Sequence, residues 1–266
     1  MGARVGVRVA RTLPAMPMRQ RVFAALHAVT MALAFALAAA APAVGVPSGF
    51  SDDIAQRMLA CTGCHGDQGR SAPDGYHPRI AGKPAGYLYN QLRNFREGRR
   101  HYRLMTQLLM PLSDAYLQEI ALHFAGLDLP YAAPPVSAAS PQQRARGEQL
   151  ARRGDPARDL PACTDCHGAA LTGVLPATPG LLGLPRDYLV AQLGAWRGGT
   201  RRAHAPDCMA TIARRLAPED LAAVADWLAS QPVPARSGPA AATGGRRALD
   251  CGGIDGLPAP LGGGAR

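Results

Sequence analysis

Two pentapeptides of the same form, CTGCH at residues 61–65 and CTDCH at 163–167, lie 102 residues apart in this 266-residue chain. Other segments repeat in the same order. They are YLYNQL at 87–92 with YLVAQL at 188–193, and LQEIALHF at 117–124 with LAAVADWL at 221–228. The offsets of these pairs are 101 and 104 residues, so the register drifts by only three residues. The sequence therefore predicts two tandem copies of one domain.

Both copies carry the apolar spacing of α-helices. In the first copy one stripe falls at i, i+1, i+4, i+5 and i+8, and it consists of Tyr87, Leu88, Gln91, Leu92 and Phe95. Ser113 is predicted to cap a last helix, and Pro218 occupies a first-turn position in the counterpart of that helix. Neither copy shows the alternating pattern of β-strands, and only 5% of the residues are aromatic. The predicted fold class is all-α.

The N-terminal segment predicts export. Residues 1–43 contain five Arg and no acid, and the apolar stretch at 23–41 ends in an Ala-rich run. This order is typical of a secretory signal peptide that is cleaved after export. The alternative is an uncleaved membrane anchor, for which roughly 20 apolar residues suffice. We therefore predict a periplasmic protein that is soluble or peripherally held at the membrane.

The remaining boundaries follow from composition and from the repeat. We predict a first domain at 50–130, a Pro- and Ala-rich linker at 131–141, a second domain at 142–234 and a disordered, Gly-rich tail at 235–266. Without residues 1–43 the formal charge falls from +10 to +5, with 24 basic and 19 acidic side chains. No nucleic-acid-binding motif accompanies that charge, so the sequence argues against a nucleic-acid partner.

The pentapeptides carry the chemistry, because Cys-x-x-Cys-His is the signature of covalent haem c attachment. The thiols are predicted to form thioethers with the vinyl groups of two haems, and the following histidines to bind the irons on the proximal side. The cysteine pairs are Cys61 with Cys64 and Cys163 with Cys166, and the histidines are His65 and His167. A thioredoxin-like redox pair would need a βαβ context, and a four-thiolate zinc site would leave both histidines unexplained.

The repeat also predicts the distal iron ligands. Met105 and Met209 lie 104 residues apart, which is the offset of the helix that follows each of them. None of the other candidates has a partner at this offset of 104, and they are Met110, His77, His101 and His204. His/Met ligation leaves no open coordination position and favours the reduced iron relative to bis-His ligation. Both features predict electron transfer rather than catalysis on a bound substrate.

The chain resembles the cytochrome c4 family, periplasmic proteins built from two class I cytochrome c domains. The matching segments lie within about residues 50–232 and are HPRIAGKPAGYLYNQLRNFREGRR, RGEQLARRGDPARDLPACTDCHG and TPGLLGLPRDYLVAQLGAWRGGTRR. The resemblance implies a pseudo-twofold pair of domains with two covalently attached haem c groups. It also implies that the carbonyl groups of Pro78 and Pro179 accept hydrogen bonds from the proximal histidines. Lys83 and Leu184 depart from the family, which usually has Gln at both positions.

The resemblance further implies a respiratory role. We predict an electron carrier, not an enzyme, that passes electrons from a redox protein donor to an acceptor such as a terminal oxidase. One alternative is the cytochrome subunit of a periplasmic dehydrogenase complex. Another is a dihaem peroxidase, which needs a displaceable iron ligand. Six arginines are candidates to pair with haem propionates or an acidic partner: Arg96, Arg99, Arg100, Arg197, Arg201 and Arg202.

Two of the six cysteines lie outside the pentapeptides. Cys208 directly precedes Met209, and Cys251 lies in the predicted tail. In an oxidising compartment two outcomes are open. The two thiols either form a disulfide that holds the tail near the second haem, or they stay apart as a packed side chain and a free thiol.

Overall fold

The structure is a computed structural model that describes Met18 and residues 52–72, 74–242 and 248–258. The chain divides into two units, Met1–Phe50 and Ser51–Arg266. The predicted signal peptide lies outside the described residues except for Met18. Within the part of the chain that is described, no helix combines the length and the apolar character needed to cross a membrane. Both copies of the repeat lie in the second unit.

The regular elements of the first copy are helices, and loops connect them in the described residues. Its helices are α1 (Ile54–Arg57), α2 (Leu59–His65), α3 (Ala85–Arg96), α4 (Arg103–Leu109) and α5 (Asp114–Ala125), with a 3-10 turn at Asp67–Gly69. Helix α3 packs against α5, and the predicted stripe of α3 is buried at Leu88 and Phe95. Ser113 caps α5 as predicted, because its hydroxyl accepts a hydrogen bond from the Tyr116 backbone N–H at 3.2 Å.

The second copy repeats this architecture with one addition. Its elements are α6 (Pro141–Arg153), a 3-10 turn at Pro156–Arg158, α7 (Cys163–His167), β1 (Gly173–Val174), β2 (Thr178–Pro179), α8 (Arg186–Arg197), α9 (Cys208–Arg215) and α10 (Pro218–Ser230). Strands β1 and β2 pair antiparallel, with Gly173 opposite Pro179 and Val174 opposite Thr178. The all-α prediction is confirmed, since this short hairpin is the only sheet among the described residues.

Helices α6 and α10 cross closely and form the main packing contact of the second copy. Helix α6 begins with Pro141 in its first turn, where the missing N–H costs nothing, and Ser140 and Gln143 form a reciprocal capping box. At the crossing, Gly147 lies against the backbone of Ala223 and the side chain of Trp227. Leu150 and Leu228 are each only 2% exposed in the core beside it.

A carboxylate in the first turn of α10 ties this crossing together. Asp220 is 4% exposed, and Arg146 of α6 donates to it from Nε to Oδ1 at 2.7 Å and from Nη2 to Oδ2 at 3.1 Å. Arg146 Nη2 also donates to Asp155 Oδ2 at 3.0 Å. The hydrogen bonds from Arg146 hold the pKa of Asp220 below its usual value, although burial acts in the opposite direction.

Replacing Asp220 by Asn is expected to lower the free energy of unfolding at neutral pH by about 2 kcal/mol, because charge-assisted hydrogen bonds are lost. A carboxylate whose pKa is lowered on folding stabilises the fold above its unfolded pKa of about 4. It loses that contribution as the pH falls through the folded pKa. In urea titrations, the difference between wild type and variant should therefore shrink from pH 7 to about pH 3.

Asp159→Asn is the matched control for this experiment. The Asp159 side chain is 84% exposed in its ion pair with Arg215, and exposed pairs contribute roughly 0–1 kcal/mol. The Asp159 variant should unfold close to the wild type at both pH values. A destabilisation by Asp220→Asn that keeps its full size at low pH would contradict the assignment to a charged carboxylate.

Two stretches of the segment predicted as a disordered tail, 235–242 and 248–258, are described and have contacts with the rest of the chain; positions 243–247 and 259–266 lie outside the described residues. Ala240 forms a parallel bridge with Val174, and its carbonyl accepts a hydrogen bond from the Leu175 N–H at 2.8 Å. Cys251 forms a disulfide with Cys208, with 5.2 Å between the Cα atoms. In the described parts of this segment, a covalent link and paired backbone groups hold the chain where its composition offers little apolar burial.

Residues 248–258, here called the strap, run from the second copy to the first. The Gly252 N–H donates to the Pro206 carbonyl at 2.9 Å, and Asn90 Nδ2 of α3 donates to the Gly253 carbonyl at 3.1 Å. Leu257 packs against the core of the first copy. The strap therefore joins the two copies. The sequence left two outcomes open for Cys208 and Cys251, and in the structure these residues form a disulfide.

Candidate haem sites

The first site is built on α2, which ends with the CTGCH pentapeptide. Its single run of helix brings Cys61, Cys64 and His65 to one cavity. His65 is buried, and its Nδ1 donates to the Pro78 carbonyl oxygen at 2.8 Å. Gly66 ends the helix at φ +75°, and a Cβ there would lie 2.3 Å from the Ser71 carbonyl oxygen. The Pro78 bond fixes the imidazole tautomer and leaves Nε2 free to bind a metal.

The second site repeats this geometry on α7. His167 is 7% exposed, and its Nδ1 donates to the Pro179 carbonyl oxygen at 2.7 Å. Pro179 lies in β2, so the short hairpin positions the acceptor. Cys163 and Cys166 of the same helix line the cavity with His167. Both histidines therefore have the hydrogen bonds that the resemblance implies.

The electrostatics of these residues suit iron ligation rather than thiol redox chemistry. Burial lowers the pKa of both His65 and His167, which keeps the imidazoles neutral as a metal ligand must be. Burial also raises the pKa of Cys61 to about 11 and that of Cys163 to about 12. A thioredoxin-like pair needs a thiol whose pKa is lowered, so these residues do not fit that alternative.

The candidate distal ligands differ in exposure and contacts, although His77 and His204 are also half-buried and line the cavity. Met105 on α4 and Met209 on α9 are half-buried and line the cavity that holds the two pentapeptides. Met110 is 67% exposed and is not part of the cavity wall.

The candidate histidines have other contacts. His77 Nδ1 forms a hydrogen bond with Asp74 Oδ2 at 2.8 Å, and Arg99 Nη2 lies 3.1 Å from His204 Nε2. His101 lines the cavity, but its side chain is exposed. Only the two matched methionines combine burial with matched positions.

The two sites open into one continuous cavity of about 910 Å³. Its wall includes both pentapeptide helices and both matched methionines. The strap contributes Leu249, Cys251, Gly253 and Ile254 to the same wall. The cavity thus extends across the boundary between the two copies, and the strap covers part of it.

A hydrogen-bond network related by pseudo-twofold symmetry joins the copies. Arg100 donates to Tyr188 Oη and to Gln192 Oε1, both at 2.9 Å, and Arg201 donates to Gln91 Oε1 at 2.9 Å. Arg100 and Arg201 also pair as an antiparallel β-bridge. Gln91 and Gln192 are repeat partners, as are Arg100 and Arg201. Each copy therefore offers the same groups to the other, as in a twofold interface.

The arginines of this network fit a cofactor that carries carboxylates. Arg100 is 9% exposed and Arg201 3%, and each stacks on an aromatic ring of its own copy, Phe95 and Trp196 respectively. Burial, with the positive charge of Arg100, lowers the pKa of Arg201 to about 10. Among the described residues neither guanidinium pairs with a carboxylate. Since buried cations need anionic partners, the cavity suits the propionates of haem.

None of the other four candidate arginines lines the cavity. Arg96 donates to Asp114 and to the Leu112 carbonyl, and Arg99 pairs with Glu97. Arg197 and Arg202 are exposed. Sequence reasoning treated the six as one cluster and missed the roles of Gln91, Gln192 and Tyr188. The sequence contains a clue to these roles. Gln91 recurs as Gln192 and Tyr87 as Tyr188, at the offset of 101 residues that also relates Arg100 to Arg201.

The chain is similar in sequence to two kinds of protein, thiosulfate dehydrogenase electron acceptors and cytochromes c4. The chain is 39% identical over 177 residues to a thiosulfate dehydrogenase electron acceptor of Thiomonas intermedia, covering 65% of this chain and 79% of that protein. It is 35% identical to a cytochrome c4 of Pseudomonas aeruginosa, covering 65% of this chain and 84% of that protein. No family model matches the chain.

Solved structures agree with these relatives. The reduced cytochrome c4 of Pseudomonas stutzeri superposes with a TM-score of 0.57 at 30% identity, covering 65% of this chain and 94% of that one. The thiosulfate dehydrogenase TsdBA of Marichromatium purpuratum superposes with a TM-score of 0.59 at 33% identity. That match covers 66% of this chain but 37% of the much longer TsdBA chain.

Proposed function

Because this chain belongs to the cytochrome c4 family, whose members carry two covalently attached haem c groups, we propose that it is the electron acceptor of a thiosulfate dehydrogenase. It is an electron carrier rather than an enzyme. The names of the relatives at 39% and 37% identity support this donor, as does the likeness to part of TsdBA. A periplasmic dehydrogenase complex is also one of the alternatives that the sequence leaves open. A terminal oxidase remains the predicted acceptor of the electrons.

The ligand assignments belong to the same proposal. When bound, the two haem irons supply one-electron redox chemistry. Cys61 and Cys64 hold one haem as thioethers, and Cys163 and Cys166 hold the other. His65 with Met105 would bind one iron, and His167 with Met209 would bind the other. Pro78 and Pro179 orient the imidazoles through their carbonyl oxygens, which keeps Nε2 directed at the metal position.

The continuous cavity is the observation that carries the two-site carrier function, whereas the proposed donor rests on the relatives. A carrier with two redox sites needs them close together and held in a constant relation. The Gln91, Arg100, Gln192 and Arg201 network holds the copies together at the cavity, and the strap spans the same boundary.

The proposal also includes export. The basic and apolar segment at 1–43 supports a cleaved signal peptide and a periplasmic location. The disulfide between Cys208 and Cys251 is consistent with an oxidising compartment. Peripheral association with the membrane, through a membrane-bound acceptor, is part of the same expectation.

Mixing the oxidised holoprotein with a purified thiosulfate dehydrogenase and thiosulfate should reduce both haems, one electron each, as followed by visible absorption. The rate should saturate with the concentration of this protein, since complex formation precedes transfer. Thiosulfate without the enzyme serves as the control. If the enzyme does not accelerate reduction over that control, the proposed donor is wrong. Oxidation of the reduced protein by membranes that contain a terminal oxidase would support the predicted onward acceptor.

A further inference from the structure

Lys83 is the only lysine in the chain, in which the other 28 basic side chains are arginines. It lies in the loop before α3 of the first copy and is 4% exposed. Its Nζ donates to the carbonyl oxygen of Gly180 in the second copy at 3.1 Å. The side chain therefore crosses the boundary between the copies and ends inside the wall of the shared cavity.

The amine lies close to the proximal side of the second site. Gly180 follows Pro179, whose carbonyl accepts the hydrogen bond from His167. Burial is the main cause that lowers the pKa of His167, and the positive charge of Lys83 lowers it further. Burial and the nearby Arg79 lower the pKa of Lys83 itself to about 8, so the amine is mostly charged at pH 7. Among the described residues it has no carboxylate partner.

This charge breaks the symmetry of the two sites. The repeat partner of Lys83 is Leu184, at an offset of 101. Besides the main effect of burial, the charges that act on the two histidines differ, because Arg100 lowers the pKa of His65 whereas Lys83 lowers that of His167. The acid near the first site, Asp74, is exposed and paired with His77, which weakens its effect through solvent screening. Lys83 remains as a buried, unmatched charge that faces the second site.

We propose that Lys83 tunes the second haem from the opposite domain, raising its reduction potential relative to that of the first haem. The oxidised site carries one more positive charge than the reduced site, so a fixed cation nearby disfavours oxidation. Its burial leaves this interaction poorly screened. A buried cation with one carbonyl partner also costs free energy that a neutral side chain would avoid. The inference rests on the proposed assignment of His167 and Met209 to the second haem.

The test is a potentiometric titration of the holoprotein at pH 7, with Lys83→Met and Lys83→Gln compared with wild type. Both variants should shift the electron equilibrium between the haems toward the first by on the order of tenfold, or about 59 mV in the potential of the second haem. Leu184→Met is the matched control, because it changes a side chain at the mirrored position without changing charge. That control should leave both potentials in place.

Met209→His identifies which potential belongs to the second site. The potential that falls in this variant should be the one that Lys83→Met lowers. If Lys83→Met and Lys83→Gln lower the other potential, both equally, or neither, the role of Lys83 is refuted and the carrier function stands. If Met209→His moves neither potential, the proposed ligand set fails, and the inference about Lys83 fails with it.

The burial of Lys83 can be tested without the redox chemistry. Since it is the only lysine, an amine-specific reagent followed by mass spectrometry reports on this side chain and the α-amino group alone. In the folded holoprotein Lys83 should react much more slowly than in urea. Rapid labelling of Lys83 in the native protein would overturn the proposal, because a solvated amine cannot exert a poorly screened charge.

Discussion

Substituting His for Met209 should lower the reduction potential of one haem by on the order of 0.1 V or more, within the roughly 0.8 V range that axial ligands span. A thioether favours the reduced iron, and a second imidazole removes that preference. Spectroelectrochemistry should resolve one shifted and one unshifted potential. About half of the methionine-to-iron charge-transfer absorption should also disappear, since one of two equivalent chromophores is lost.

Met105→His should have the same effect on the other haem. Met110→Ala is the control, because the Met110 side chain is 67% exposed and outside the cavity wall. It should leave both potentials and the absorption unchanged. If Met110→Ala removed half of the band while Met105→His left it intact, the register that pairs Met105 with Met209 would be wrong.

Placing a side chain at Gly147 should destabilise the second domain by about 3 kcal/mol. A Cβ at this position would lie 2.2 Å from the Ala223 carbonyl oxygen and 2.7 Å from Trp227 Cβ. Both atoms belong to rigid parts of α10, so the steric clash can be relieved only if α6 and α10 move apart. Denaturant unfolding of Gly147→Ala, followed by circular dichroism, measures the loss.

Gly194→Ala in α8 is the matched control for Gly147→Ala. A Cβ at position 194 would meet no atom within 4 Å. Alanine there should stabilise the protein by roughly 0.5–1 kcal/mol, because glycine inside a helix costs backbone entropy. Equal effects of the two substitutions would show that the cost at Gly147 is not steric, and that the crossing of α6 and α10 is looser than described.

The two pentapeptides could be predicted because their spacing is local, whereas the pairing of Met105 with Met209 comes from the repeat offset and stays a prediction. The Cys-x-x-Cys-His spacing is set by one turn of helix, and the structure has both pentapeptides on short helices. The apolar stripe of α3 and the cap at Ser113 are likewise local patterns that the structure confirms. The offset of 104 singled out Met105, and the structure leaves Met110 exposed.

The described parts of the C-terminal segment have contacts that composition does not predict. Few apolar residues and many glycines predict disorder, because such a segment buries too little surface to offset its entropy. The disulfide to Cys208 and the backbone hydrogen bonds of Ala240, Gly252 and Gly253 supply what composition lacks. Spacing left the pairing of Cys208 with Cys251 open, since loop closure over 43 residues is permitted but not required.

By itself, the sequence determined the helical class, the twofold repeat, the haem c chemistry and the candidate ligands, because each depends on residues a few positions apart or on one constant offset. Only the tertiary structure decided what the two copies do to each other. The reciprocal contacts of Arg100 and Arg201, and the reach of Lys83 to Gly180, join residues about 90 to 110 positions apart. The repeat offset shows that some of these residues recur but does not specify which of them pair, because the pairs form when two folded surfaces meet and bury polar groups that must then find partners.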